Sequence, residues 1–341
     1  MSGKPLRIMV TEQLISRFDS ILTRGGSDGH EWIMAAGWKE SHIVEALGEV
    51  DILVSFQLSP SAARAAKRLR LLLVPGAGFE NVAMSDLPPA VTVATSSNHG
   101  RSVAEHVIMV SLMLSRRVVA FDQQMRQGVW RNYTSDPTVP LANTLQGKVL
   151  GLVGLGEIGL DVARLAGAFG MSVQAVRQNP CAERPSDVAM DWVGGIDGLD
   201  HLLGTSDILV LTAPLNDSTR GLIGRHALET MKTTAFLINV ARGAIVDEVA
   251  LHAALEARSI AGAALDVWWS EVPGQALSSA VNRSFGRFDN VVLTPHQSGH
   301  TYQTFEGRAR AIAENIRAFA SGGTVSNVVQ RGTAESESVR P

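Results

Sequence analysis

The segment VLGLVGLGEIGLDVARLAGAFG sets Gly154, Gly156 and Gly159 in a G-x-G-x-x-G spacing, directly after an apolar strand pattern and at the start of a helical one. In that context the chemistry is capture of a dinucleotide. Gly154 permits the tight turn, Gly156 lets the backbone approach a pyrophosphate, and Gly159 allows close packing of helix on strand. Amides opening the helix, with Glu157 and Ile158 at its start, receive the phosphates. The next strand pattern, VQAV, ends at Arg177, where an NAD site carries an acidic side chain for the ribose 2′-hydroxyl. Arginine has no acceptor lone pair. Its guanidinium can pair with a 2′-phosphate or stack on adenine, which favours NADP; an exposed arginine beside an NAD site is the alternative. Three later segments, NVARGAIVDE, GAALDVWWSEVPG and LTPHQSGHT, bring polar residues to strand ends, the edge where open α/β sheets place their sites.

Those segments need a frame of alternating elements. Short apolar runs bounded by turn residues recur as LRIMV, DILVSF, LRLLLVPG, VTVAT, KVLGLVGLG, SVQAV, DILVLTAP, TAFLINVARG, GAALDV and NVVLTPH. Between them lie stretches of helical spacing such as PSAARAAKRLR and DEVALHAALEARS. Strands alternating with helices predict parallel, doubly wound α/β sheets. One long helical pattern, from Arg101 to about Gly128, interrupts the alternation and reads as a crossing between domains. It is apolar on nearly every face, which fits either a subunit interface or burial between domains. His106 within it reads as structural. The last helical stretch, TYQTFEGRARAIAENIRAFASGG, is expected to pack back on the first domain, and RGTAESESVRP to be a disordered tail.

The order and spacing of these segments resemble the D-isomer-specific 2-hydroxyacid dehydrogenases, the family that includes phosphoglycerate dehydrogenase and glyoxylate/hydroxypyruvate reductase. The resemblance covers about residues 45 to 320. It implies a Rossmann dinucleotide-binding domain, 101–298, inserted in a flavodoxin-like substrate domain, 1–100, to which residues 299–330 return as a C-terminal helix, with 331–341 as the tail. It also implies a catalytic set: Arg242 for the substrate's carboxylate and carbonyl, His296 as acid and base, and Glu271 to orient the histidine and favour its charged form. Asp266 matches the aspartate near the nicotinamide carboxamide, and could equally cap a turn. Gly76, Ala77 and Gly78 match the loop whose amides meet the substrate carboxylate. Ala213, Pro214, Val240 and Ala241, with Ser298 and Gly299 after the histidine, complete the cofactor set.

The chain departs from the family pattern in two places. Val272 separates Glu271 from Pro273, and Trp268 and Trp269 stand where smaller aromatics are usual. One tryptophan could wall the substrate pocket, with core packing the plainer role, and His300 and Tyr302 could face the site or lie on the surface. The implied activity is reduction of small 2-keto acids such as glyoxylate or hydroxypyruvate. Alternatives are a phosphite dehydrogenase of the same fold and a cofactor-sensing binding protein like the corepressors that share it.

Composition excludes other classes. With 341 residues, 45% hydrophobic, 18% charged and a net charge of -3, the chain is globular and has no basic footprint for nucleic acid. A single cysteine, Cys181, offers no disulfide and no thiolate cluster, and no metal site is expected. No apolar run approaches a membrane span. The expectation is a cytoplasmic homodimer.

Overall fold

The computed structural model describes residues 5–25, 29–270 and 284–333. The chain divides into two units, one comprising the described residues up to Asn98 and from His300 onward, the other His99–Gly299.

The first unit holds strands β1 (Arg7–Val10), β2 (Glu31–Met34), β3 (Ile52–Val54), β4 (Leu71–Val74), β5 (Thr92–Thr95) and β13 (Val328–Gln330), in the order β13-β5-β4-β3-β1-β2. Every pairing is parallel except that of β13 with β5. The helix Tyr302–Ala320 packs here, against the helix Asp19–Gly25. Its Phe305, Ala309, Ile312 and Ile316 join Ile8, Val10, Leu71 and Leu73 in one apolar cluster. The expected tail is held at its start, where the Gly332 N–H donates to Thr92 Oγ1 (3.2 Å) and the Thr333 N–H to the Pro89 carbonyl (2.9 Å); residues 334–341 lie outside the described residues.

The second unit holds β6 (Val149–Val153), β7 (Ser172–Val176), β8 (Trp192–Gly194), β9 (Ile208–Leu211), β10 (Phe236–Asn239), β11 (Gly262–Leu265) and β12 (Val291–Leu293). Their order is β12-β11-β10-β9-β6-β7-β8, with every pairing parallel. Chain order reverses between β6 and β9, the switch point at which doubly wound sheets bind ligands. Both faces are covered: Leu209 and Leu211 of β9 enter one apolar cluster, Ile208 and Val210 the other.

The long helical pattern differs from expectation. It forms two helices, Gly100–Ser115 and Val118–Arg126, broken where Arg117 takes a left-handed backbone (φ 52°), and both belong to the second unit. The first lies on the fingerprint helix Glu157–Ala168 so closely that a Cβ at Gly100 would fall 2.4 Å from Asp161 Oδ2. Burial pushes the His106 imidazole down from its ordinary pKa, and the nearby Asp266 charge opposes this. Among the described residues, no helix is long and apolar enough to cross a membrane.

Candidate active site

Parallel pairing sets the site by register. Val153 lies opposite Val176 and Leu211, Leu211 opposite Asn239, Asn239 opposite Leu265, and Leu265 opposite Leu293. The residues that follow these strands, Gly154, Arg177, Ala213, Val240, Asp266 and the Thr294–His296 turn, therefore share one edge of the sheet.

At the glycine turn, Gly154 has φ 101°, and a Cβ there would meet the Ala213 backbone nitrogen at 2.7 Å. Thr212 Oγ1 donates to the Gly154 carbonyl (2.8 Å), tying the β6 and β9 exits together. A Cβ on Gly159 would press on the Gly154 carbonyl oxygen at 2.6 Å. At Gly156 a Cβ would meet nothing within 4 Å. Its backbone therefore stands clear of protein at the start of a 12-residue helix with no side-chain cap, a fit for a dinucleotide's pyrophosphate. The Glu157 carboxylate reaches the Gly100 N–H (3.4 Å), so its side chain serves the neighbouring helix. Thr219 braces the β9 exit by donating to the Pro214 carbonyl (2.8 Å).

Arg177 is half-buried after β7. Its guanidinium donates through Nη2 to the Ala182 carbonyl, while its buried Nε–H has no hydrogen-bond partner.

At the β10 exit, fully buried Asn239 accepts from the Ala241 N–H (3.1 Å) and donates through Nδ2 to the Arg242 carbonyl (3.0 Å). This fixes the turn that presents half-buried Arg242, whose Nη1 donates to the Ala241 carbonyl (2.7 Å). Gly243 is required next, since a Cβ would lie 2.3 Å from the Trp268 carbonyl carbon and oxygen. Asn239 is absent from the sequence-derived set, although the N of NVARG was the available signal.

At the β11 and β12 exits, Asp266 is 1% exposed. Its carboxylate accepts from Thr294 Oγ1 (2.5 Å) and from the N–H groups of Gln297 (2.8 Å) and Ser298 (2.9 Å). Burial pushes its pKa up, but the bonds from Ser298, Thr294 and the Gln297 backbone outweigh burial and hold it below the ordinary aspartate value. The His296 N–H donates to the Asp266 carbonyl (2.8 Å), and His296 sits at φ 56° with an exposed ring. Asp266 thus braces the turn that presents the histidine, the capping role that the sequence left open. Ser298, expected at the cofactor, is engaged elsewhere: its N–H and hydroxyl bond Asp266, and its carbonyl accepts from Ser102 Oγ (2.8 Å). Gly299 follows, 3.6 Å from His99 at its would-be Cβ.

Both tryptophans pack in the core. Trp268 Nε1 donates to the Thr294 carbonyl (3.0 Å) and Trp269 Nε1 to the Val246 carbonyl (2.6 Å), and Trp269 stacks on buried Phe285 at 5.7 Å. Glu271 lies outside the described residues, as do Val272 and Pro273. In the first unit, the Gly76 N–H is donated to the Val74 carbonyl (2.8 Å), which leaves the Ala77 and Gly78 amides to the expected anion loop. His300 packs on Phe305 (5.6 Å) and Tyr302 on Phe18 (5.2 Å).

Residues 108–298 match the family described as D-isomer specific 2-hydroxyacid dehydrogenase, NAD binding domain. The chain belongs to that family. It is an NAD(P)-dependent D-2-hydroxyacid dehydrogenase. Its sequence is 32% identical over 306 residues to the glyoxylate reductase of Korarchaeum cryptofilum, covering 88% of this chain and 87% of that one. Solved structures share the fold. The acyclic imino acid reductase Bsp5, in complex with NADPH and D-Arg, superposes with a TM-score of 0.76 at 24% identity, covering 95% of this chain and 100% of that one. The D-lactate dehydrogenase of Lactobacillus jensenii, with NAD+, gives 0.78 at 24% identity, covering 96% of this chain and 100% of that one. Both cofactors thus occur on this fold.

Proposed function

We propose that this dehydrogenase reduces a small 2-keto acid to its D-2-hydroxy acid with NADPH, and that glyoxylate and hydroxypyruvate are its first substrates. The observation that carries this is the His296 backbone. A non-glycine residue at φ 56° is strained, and here the strain is sustained by a buried carboxylate that grips the turn on both sides of the ring. Such strain marks a side chain that must point one way.

Gly154, Gly156, Gly159 and the backbone at Glu157 and Ile158 would hold the cofactor's pyrophosphate, with Ala213, Pro214, Val240 and Ala241 along its length. The bound cofactor supplies hydride to the carbonyl carbon. Arg242 clamps the carboxylate and polarises the carbonyl; in the first unit, the Ala77 and Gly78 amides are the proposed carboxylate loop. His296 gives its proton to the carbonyl oxygen as the alcohol forms and takes it back in the reverse direction, with Glu271 to orient the imidazole. Similarity to the glyoxylate reductase of K. cryptofilum supports glyoxylate as substrate.

The buried, unpartnered Arg177 Nε–H supports NADPH, because a 2′-phosphate oxygen would satisfy it. A second copy of the chain is the proposed cover for Met109, Val118, Met125, Trp130 (73% exposed), Tyr133 and Leu141 (72%), all on the second unit. The single free cysteine, exposed Cys181, fits a reducing cytoplasm.

The test is a panel of 2-keto acids with NADPH and NADH in parallel, repeated with Arg177→Asp. Expected are substrate-dependent oxidation with NADPH preferred, and loss of that preference in the variant. Tight cofactor binding without oxidation across the panel would overturn the proposed substrate class, and an unchanged cofactor ratio would make Arg177 a bystander.

A further inference from the structure

At the β1 and β3 exits of the first unit, the strand ladder runs on past the strands. The Thr11 N–H donates to the Val54 carbonyl (3.1 Å) and the Ser55 N–H to the Leu73 carbonyl (3.1 Å). The next amide, that of Phe56, donates instead to a side chain, Glu12 Oε1 (2.8 Å). Glu12 stands at the N-terminus of the helix Gln13–Ser16 yet caps none of its amides; its carboxylate reaches Phe56, 44 residues along the chain. Burial pushes the Glu12 pKa up, and the Phe56 N–H and Thr11 oppose this by bonding the charged form. Beyond Phe56, the Thr11 hydroxyl donates to Ser55 Oγ (2.8 Å) and the Ser55 hydroxyl to the Gln57 carbonyl (2.6 Å). Phe56 is therefore tied down at its own N–H and at the carbonyl that follows it.

What these bonds fix is the ring. A Cβ on Gly76 would lie 2.6 Å from Phe56 Cε1, closer than non-bonded carbons come, so the ring rests on the Gly76 backbone itself. The Arg308 guanidinium lies 5.9 Å from the centre of the same ring. Gly76 opens the loop after β4, and its carbonyl accepts from the Ser96 N–H (3.2 Å) at the β5 exit. Carboxylate, amide, ring and glycine thus form one continuous line from Glu12 to the Gly76–Gly78 loop.

We propose that Glu12 is a positioning residue for the substrate: by holding the Phe56 ring against Gly76 it keeps the Ala77 and Gly78 amides aimed at a carboxylate, and it does so without touching the substrate. This deepens the proposed function and rests on its reading of those two amides as the carboxylate loop.

The test is steady-state reduction of glyoxylate with NADPH, with NADPH binding titrated directly, in wild type, Glu12→Ala, Glu12→Gln, Gly76→Ala, Phe56→Leu and the double variant of the last two. Glutamine keeps an acceptor oxygen of the same reach, and leucine keeps apolar bulk but has no atom at the Cε1 position. Glu12→Ala should raise KM roughly tenfold while kcat and NADPH affinity change less than about threefold, and Glu12→Gln should recover most of the loss. Gly76→Ala should raise KM by a similar factor, and adding Phe56→Leu should win part of it back, because the atom that collides with the new Cβ is gone. Parallel losses of kcat, KM and NADPH affinity in Glu12→Ala would show that Glu12 serves stability alone and would overturn the proposal. So would independent effects of Gly76→Ala and Phe56→Leu, since the ring would then not govern the loop. A KM for Glu12→Gln below that of wild type would mean that the carboxylate acts by repelling substrate, which also overturns it. If wild type reduces no 2-keto acid, the proposed activity fails by itself, and the loop is tested by calorimetric titration of oxalate with NADPH present. Weaker oxalate binding in Glu12→Ala that Glu12→Gln restores supports the proposal; equal binding in all forms, or none in wild type, refutes it.

Discussion

The two sheets share one construction rule and use their edges differently. Each is a sheet of parallel strands, apart from antiparallel β13 in the first, and its strand order reverses once, between β1 and β3 in the first unit and between β6 and β9 in the second. In the second, the edge beyond the strands is a set of backbone devices: an open glycine turn at Gly156, an amide clamp from Asn239, and a carboxylate clamp from Asp266. Each holds a functional group at a defined place. In the first, the corresponding edge pairs aromatic rings with one buried guanidinium, and Ser96 Oγ, 0% exposed, has no hydrogen-bond partner. The same topology thus carries different devices on the loops of the two units, because function resides in the loops and not in the sheet.

Three substitutions probe this contrast, in descending order of effect. Asp266→Ala should be the costliest, because it leaves the half-buried Thr294 hydroxyl and the N–H groups of Gln297 and buried Ser298 without their acceptor. A loss of about 1–3 kcal/mol in unfolding free energy is expected by denaturant titration, with turnover falling in parallel. The sign with pH follows from the lowered carboxylate pKa. Its stabilisation is fully present above the ordinary aspartate value of 3.8 and is lost as pH falls below that towards the folded-state value, so the gap between wild type and variant should close in acid. Gly156→Ala should leave the melting temperature unchanged, since the added Cβ meets no protein atom, yet raise the cofactor KM roughly tenfold, about 1.4 kcal/mol. A lowered melting temperature would mean that Gly156 serves packing. Ser96→Ala should have the smallest effect, within about 0.5 kcal/mol and on the side of stabilisation, because it removes a buried unsatisfied hydroxyl. A marked loss of activity in Ser96→Ala would place chemistry on the first unit's edge and erase the contrast.

What the sequence made legible follows the same division. All ten strand patterns read from apolar runs correspond to strands, while β2, β8 and β13 went unread. These three lie at sheet edges, where Glu31 and Val329 are exposed and Trp192–Gly194 only half-buried, so no continuous apolar run betrays them. The Arg101 to Gly128 pattern hid its break, because the left-handed turn falls on an arginine and not on a glycine. At the site, the glycine fingerprint is local and reads from spacing alone. The role of Asp266 depends on amides 31 and 32 residues away, and that of Glu12 on an amide 44 residues away, contacts that only folding creates.

The central claim is that the clamped, strained turn after β12 exists to present His296 as the proton donor. Steady-state reduction of glyoxylate with NADPH by His296→Ala, alongside direct titration of NADPH binding, tests it most directly. The expected result is a fall in kcat of about 10²–10⁴-fold with cofactor affinity unchanged. Near-normal turnover in that variant would contradict the account.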